Sequence, residues 1–367
     1  MRRTPWFKLI LLAWLCLGRA RGEPVVVGYE RFHASQIGPD GGRLLFNELG
    51  CVNCHGGETG LPARRGPDLT LVTRRARREW LEAFIASPSE QRAGTSMPHL
   101  LDGRDRADIV AVVDYLGTLP PKGLAKPKLI RHINGALGRE LFHTKGCVAC
   151  HAPRRDFQPP EGRPETAGSS RTEAALPNLA EKYVLSSLAD FLQNPLQSRP
   201  DGRMPRIDLT EQEALDLAGY LLEIPGSYGE AAPKLPESGA NHGAAERGRR
   251  VIQELRCAAC HELPAAAAVS TIPLRTFDGG CLAAAPAPGV PRFALGAGQR
   301  RALQAYLAER ERPLDAAGQA TLTLQALNCF ACHERDGQGG PVAGRQTYFV
   351  GDHNLGDTGR YPPPLSG

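Results

Sequence analysis

Cys51-Val-Asn-Cys54-His55 returns with the same spacing as Cys147-Val-Ala-Cys150-His151, Cys257-Ala-Ala-Cys260-His261 and Cys329-Phe-Ala-Cys332-His333. At the Cys and His frequencies of this chain, chance supplies roughly 0.01 copies of the pattern. Positions i, i+3 and i+4 of a helical turn share a face, so two thiols and one imidazole project together. That set suits covalent attachment of haem c: two thioethers at the porphyrin edge, with the iron held by His55, His151, His261 or His333. Disulfide staples would not place His after the second Cys four times. Structural zinc lacks a regular fourth ligand here, and thioredoxin-like chemistry expects a βαβ pattern that is absent. Four covalently attached haems are therefore expected, on Cys51/Cys54, Cys147/Cys150, Cys257/Cys260 and Cys329/Cys332.

Outward from the motifs, a Gly-Arg pair lies nine residues before the first Cys of three copies: Gly42, Gly138 and Gly248. Apolar residues at helical spacing fill the interval, for example Leu44, Leu45, Phe46 and Leu49. In the fourth copy Leu322, Leu324 and Leu327 take that place. Closing helices are read at Asp105–Leu116, Thr210–Leu222 and Gly298–Ala308 from their i, i+3, i+4, i+7 stripes. Thr210 with Glu213 forms a capping box. Pro-rich stretches at Leu119–Lys128 and Ile224–Pro236 punctuate the units, and Ala152–Ala175 reads as a polar surface insertion. No alternating strand pattern is visible, so the expected fold class is all-α, as tandem helical domains with long Pro/Gly-rich loops.

The chain holds three Met in all: the initiator, Met97 and Met204. The internal two follow a motif, precede Pro and lie just upstream of a closing helix. A Met is ordinarily core filler, but the same placement in two repeats points to the second axial iron ligand. A thioether opposite His favours Fe(II) and raises the potential, as an electron carrier requires.

Each unit resembles a class I cytochrome c domain: an N-terminal helix, C-x-x-C-H, a G-P-x-L loop, Met-Pro and a closing helix. The loop reads Gly66-Pro67-Asp68-Leu69 in the first unit and Leu176-Pro177-Asn178-Leu179 in the second, which lacks the leading Gly. The resemblance implies that the carbonyls of Pro67 and Pro177 receive the proximal imidazole N–H of their own units, fixing the tautomer. The layout also resembles the multi-domain cytochrome c proteins of planctomycete-like bacteria. The expected organisation is a leader at 1–22, domains at 36–119 and 133–225, a third at 243–310 lacking the axial Met, and a partial fourth at 311–367.

The third unit departs at Gly289-Val290-Pro291-Arg292, where Val290 stands at the position of Met204. Haem three is then five-coordinate or takes its sixth ligand from elsewhere, with Cys281, His242 and His353 as candidates. After the fourth motif, Tyr361-Pro362-Pro363-Pro364-Leu365 reads as the loop equivalent, with no Met arm or closing helix beyond it, as in a truncated sequence. Arg74, Arg75, Arg77 and Arg78 read as a solvated face, a haem-propionate clamp or a docking patch. His33, His99, His132 and His143 lack ligand spacing and are read as surface or bridging residues.

Arg2, Arg3 and Lys8 precede the apolar run Leu9–Leu17, and small residues follow, the layout of a secretory signal peptide. Removing the five basic residues of 1–22 leaves 39 basic against 39 acidic side chains, so the net charge of +5 vanishes. Nucleic-acid binding is excluded on that ground. No later stretch is apolar enough for a stable membrane span. The expectation is an exported, periplasmic carrier that passes single electrons between redox partner proteins. The alternatives are a haem enzyme reducing peroxide or a nitrogen oxide, or a gas or redox sensor, at the open haem of the third unit.

Overall fold

The computed structural model describes residues 22–120, 132–159, 172–224, 242–264, 270–274, 278–287, 289–349 and 362–365. The leader at 1–21, most of both Pro-rich punctuations, the middle of the Ala152–Ala175 insertion, His353 and Tyr361 lie outside these residues.

Among the described residues, ten α-helices of six or more residues carry the architecture. They are α1 (Val27–Phe32), α2 (Pro39–Glu48), α3 (Arg78–Ala86), α4 (Arg106–Thr118), α5 (Gly135–Thr144), α6 (Leu185–Gln193), α7 (Glu211–Leu221), α8 (His242–Glu254), α9 (Ala297–Ala308) and α10 (Ala316–Ala326). The sheet content described is one hairpin after the fourth motif, β1 (Glu334–Arg335) with β2 (Gln338–Gly339). The fold is all-α.

Helix starts follow local chemistry. Glu213 N–H donates to Thr210 Oγ1 at 3.2 Å while Thr210 N–H donates to Glu213 Oε2 at 2.8 Å, closing the capping box of α7. The side chains of Asn134 and Asp315 cap α5 and α10 in the same way.

The recurrent glycines are the crossing points of the helix pairs. A Cβ on Gly42 would lie 1.9 Å from Ala302 O, one on Gly138 2.1 Å from Asp216 O, and one on Gly248 1.9 Å from Ala111 O. In each pair the backbones touch at a position that no larger residue can fill. These contacts also reveal which helices are partners. α5 packs on α7 of its own repeat, but α2 of the first repeat packs on α9 of the third, and α8 of the third packs on α4 of the first.

The first and third repeats thus exchange halves, and their cores are chimeric. Leu44, Leu45 and Phe46 share one core with Leu303, Tyr306 and Leu307. Val251 and Ile252 share another with Val112, Val113, Trp80 and Leu101. The two modules meet where His99 and Arg292 exchange backbone hydrogen bonds of 2.9 and 3.0 Å, a single antiparallel bridge that follows Met97-Pro98 in one module and Val290-Pro291 in the other.

Charge favours the exchange. Asp108 on α4 is only 8% exposed and needs cations. Arg247, one residue before Gly248, reaches it at 2.7 Å, and Arg104 at 3.5 Å. The residue in that place on α2 is Gly41, which brings no charge and packs instead on His33. On α9 the position of Asp108 holds Gln299, whose amide donates to Pro24 O at 2.7 Å and to Glu30 at 3.1 Å.

In the fourth repeat α1 packs across α10 from the other end of the chain. A Cβ on Gly28 would meet Gln325 O at 2.6 Å. Arg31 donates to Phe330 O and Gly340 O at 2.6 and 2.9 Å, and Phe32 packs edge-on against Phe330. The sequence reading left this repeat without a helical cover; the cover comes from a segment too far away in sequence to be associated with it.

Candidate haem-binding sites

Every Cys–His motif folds as one short helical turn after a longer helix: Val52–His55, Cys147–Ala149, Cys257–Ala259 and Cys329–Ala331. The nine described cysteines are all free of disulfides. Each motif imidazole donates its Nδ1 proton to a backbone carbonyl: His55 to Ile272 O at 3.0 Å, His151 to Ala174 O at 2.8 Å, His261 to Pro67 O at 2.9 Å and His333 to Pro363 O at 2.8 Å. That bond sets the tautomer and leaves Nε2 free to coordinate iron. Burial pushes the pKa of His151 and His261 down, keeping both rings neutral.

Backbone bonds tie each loop to its turn. Ile272 N–H donates to Cys54 O, Ala174 N–H to Cys150 O and Gly66 N–H to Cys260 O, at 2.7–2.9 Å. A Cβ on Gly66 would come within 2.4 Å of His261 Cε1, which is the physical reason for Gly before Pro in this loop. In the second repeat that residue is Leu176. There the acceptor is Ala174 rather than the expected Pro177, while Asn178 caps the turn Leu179–Lys182 as Asp68 does in the first loop, by accepting from the N–H two residues on. Pro67 does receive an imidazole N–H, but from His261 of the third repeat and not from His55.

The motifs stand in adjacent pairs. Asn53 Nδ2 lies 3.8 Å from Cys260 Sγ, and Cys54 raises the pKa of Cys260. Asn328 Nδ2 lies 3.3 Å from Cys150 Sγ, and Cys332 raises that of Cys150. Burial is the larger cause of both shifts. It pushes the Cys147 thiol up to about 11 and that of Cys257 to about 12.

Whether haem fits can be judged from polar groups that the protein leaves unsatisfied. Arg75 Nε, Arg199 Nε, Thr70 Oγ1 and Ser198 Oγ are buried without a hydrogen-bond partner. They belong to a cluster of cations between the second and third motifs. Burial holds Lys182 well below its usual pKa, aided by Arg199, Arg92 and Arg75. Arg92 falls to about 10 for the same reasons, burial first. Lys182 also lies over the Trp80 and Tyr183 rings at 4.3 and 4.7 Å. Arg92 acts on His151, and Arg75 on His261. Gathered cations with spare donors are costly unless an anion completes them, and the carboxylates of haem have the required charge and acceptors. The residues therefore fit the group. Sequence reasoning marked only Arg75 in this cluster; Arg92, Lys182 and Arg199 come from scattered positions that carry no spacing signal.

Residues 40–120 and 135–225 match the family described as Cytochrome c. The chain carries tandem cytochrome c domains. Cytochrome c domains bind haem c covalently and transfer electrons, so this is a haem-binding electron-transfer protein that works with redox partner proteins. No curated protein and no solved structure matches the chain. Among the described residues, no helix is long and apolar enough to cross a membrane.

The remaining sequence candidates divide clearly. Met204 packs, as Cys147 does, against the core that contains Val148. Met97 lies in the loop before α4, its N–H donating to Thr95 Oγ1 at 3.3 Å. Cys281 raises the pKa of Cys51 and has its own raised by Cys54, so it neighbours the first motif rather than the third. His143 and His99 are buried, so of the two readings, surface or bridging, the bridging one holds. Nδ1 of His143 donates to Arg139 O and its Nε2 accepts from Arg154 N–H, at 2.7 and 3.0 Å. His99 Nε2 is 2.7 Å from Ser89 Oγ. The arginine run splits as well: Arg78 pairs with Asp114 and Glu82, Arg77 Nε donates to Ala180 O, and Arg75 faces the cation cluster. An open cleft of about 700 Å³ is lined by Arg139, Arg154 and Tyr220, with no motif cysteine or histidine in its lining.

Proposed function

We propose that the chain is an exported carrier holding four haem c groups, at Cys51/Cys54, Cys147/Cys150, Cys257/Cys260 and Cys329/Cys332, and passing single electrons between redox partner proteins. The supporting observation is the fourfold repetition of one seat: two neighbouring thiols and an imidazole whose Nδ1 proton is committed to a carbonyl at 2.8–3.0 Å. Bound haem supplies a reversible one-electron iron couple. The protein orients each ring through its Nδ1 bond, balances the carboxylates with Arg75, Arg92, Arg199 and Lys182, and places apolar cores around the porphyrin edges. Met97 and Met204 provide soft donors that raise the potential. The amino-terminal leader pattern and the extracytoplasmic habit of cytochrome c domains support the reading of an exported, periplasmic carrier.

The test is intact mass together with a pyridine haemochrome assay on protein from a host with cytochrome maturation. Four haems per chain are expected. A colourless product overturns the reading, and a lower count removes the corresponding seat.

A further inference from the structure

The exchange of halves between the first and third repeats reassigns the methionine. We infer that Met97 belongs to the iron held by His261 on Cys257/Cys260, and that the iron held by His55 on Cys51/Cys54 has no protein ligand opposite and accepts a neutral diatomic molecule. This inference deepens the proposed function and rests on haem being attached at these motifs.

Met97 lies on the chain between two elements that both serve the third motif. On one side are Gly66 and Pro67, bonded to Cys260 O and His261 Nδ1 at 2.7 and 2.9 Å. On the other is α4, which packs on α8 and shares a core with Cys257, Val251 and Leu255. In the repeat that keeps its halves together, Met204 likewise lies between its loop and α7, and packs against the same core as Cys147. The corresponding stretch for the first motif runs from Ile272, bonded to His55 Nδ1 and Cys54 O, to α9, which packs on α2. It contains no Met. The antiparallel pairing of His99 with Arg292 sets Met97 and Val290 at matching places in the two modules, each two residues before the paired position.

The surroundings select the ligand. Leu274, Leu282, Phe293 and Leu295 pack against the same core as Cys51. The nearby Arg300 guanidinium is spent on backbone carbonyls of Leu282, Ala283 and Leu295. An anion among these apolar side chains would lose its hydration. Carbon monoxide and nitric oxide meet no such cost.

The test compares full-length holoproteins by haem count, by the carbon monoxide difference spectrum of the reduced form and by the weak red charge-transfer band of thioether-ligated ferric haem. Removing the first seat with Cys51→Ala and Cys54→Ala is expected to delete one haem and one haem's worth of carbon monoxide signal, with the red band unchanged. Removing the third seat with Cys257→Ala and Cys260→Ala is expected to delete one haem and lower the red band, with the carbon monoxide signal retained. Val290→Met is expected to add red-band intensity and suppress the reaction of the first haem; this gain does not depend on a damaged fold. The reverse assignment, red band lost with Cys51/Cys54 and carbon monoxide signal lost with Cys257/Cys260, overturns the inference while leaving the tetrahaem reading intact. A first haem that becomes reactive only in Cys281→Ser also overturns it. Failure of the parent reading is distinguishable, since the wild-type chain would then lack covalent haem.

Discussion

Gly248→Ala probes the exchanged packing directly and has a magnitude that the structure sets. The new Cβ would lie 1.9 Å from Ala111 O and 2.9 Å from Val112 N, against an ordinary carbon–oxygen contact of about 3.2 Å, so α8 and α4 must separate by more than 1 Å in a closely packed core. Overpacking of this kind costs about 3 kcal/mol. Replacing Gly by Ala inside a helix returns about 1 kcal/mol. The net loss of about 2 kcal/mol corresponds to about 30-fold faster amide exchange through openings of that module. Hydrogen–deuterium exchange with peptide-level mass spectrometry reads it. Protection is expected to fall in residues 106–118 and 242–254, with 297–308 unchanged. If 297–308 loses protection while 106–118 keeps it, α8 pairs within its own repeat and the exchange is wrong.

Other outcomes follow from individual contacts. A double-mutant cycle on Asp108 and Arg247, 2.7 Å apart, is expected to show a coupling of about 0.5–1 kcal/mol by chemical denaturation; zero coupling would mean that the two helices do not meet. Thr210→Ala is expected to cost about 1 kcal/mol through loss of the α7 cap, seen as a lower Tm confined to the second domain. The hydrogen bond and charge of Arg292 hold Asp102 below its usual carboxylate pKa. A depressed folded-state pKa stabilises above the unfolded value and is lost as pH falls through the folded one. Wild type should therefore exceed Asp102→Asn in stability near neutrality, by no more than about 0.5 kcal/mol because both partners are partly exposed. That advantage should disappear in acid below the ordinary carboxylate range. Arg75→Gln is expected to lower the midpoint potential of one haem in a redox titration, since a buried cation favours the reduced iron centre; an unchanged titration curve removes Arg75 from the haem carboxylates.

Much of this protein is readable residue by residue. The four Cys–His turns, the helices that precede them, the Thr210 box and the all-α class depend on contacts within a few positions of each other, and such contacts are written in local sequence. The Gly-Arg pairs were visible too, although the role of their Gly as a helix crossing point requires the partner helix. The shift from Pro177 to Ala174 was not visible, because which carbonyl meets the ring depends on the path of the loop and not on the identity of the residue that carries it. The pairing of helices was also hidden, for a specific physical reason. Each N-terminal helix meets its partner through a glycine set against a backbone carbonyl, that of Ala111, Asp216 or Ala302, and a carbonyl has no identity that a sequence could encode. Three nearly interchangeable joints can be connected in more than one way. What separates the alternatives is a handful of distant side-chain contacts, among them Arg247 reaching Asp108 where α2 offers only Gly41. The sequence alone therefore determined which chemistry the chain carries and where each haem is anchored. The tertiary structure decided which loop, which closing helix and which methionine complete each seat.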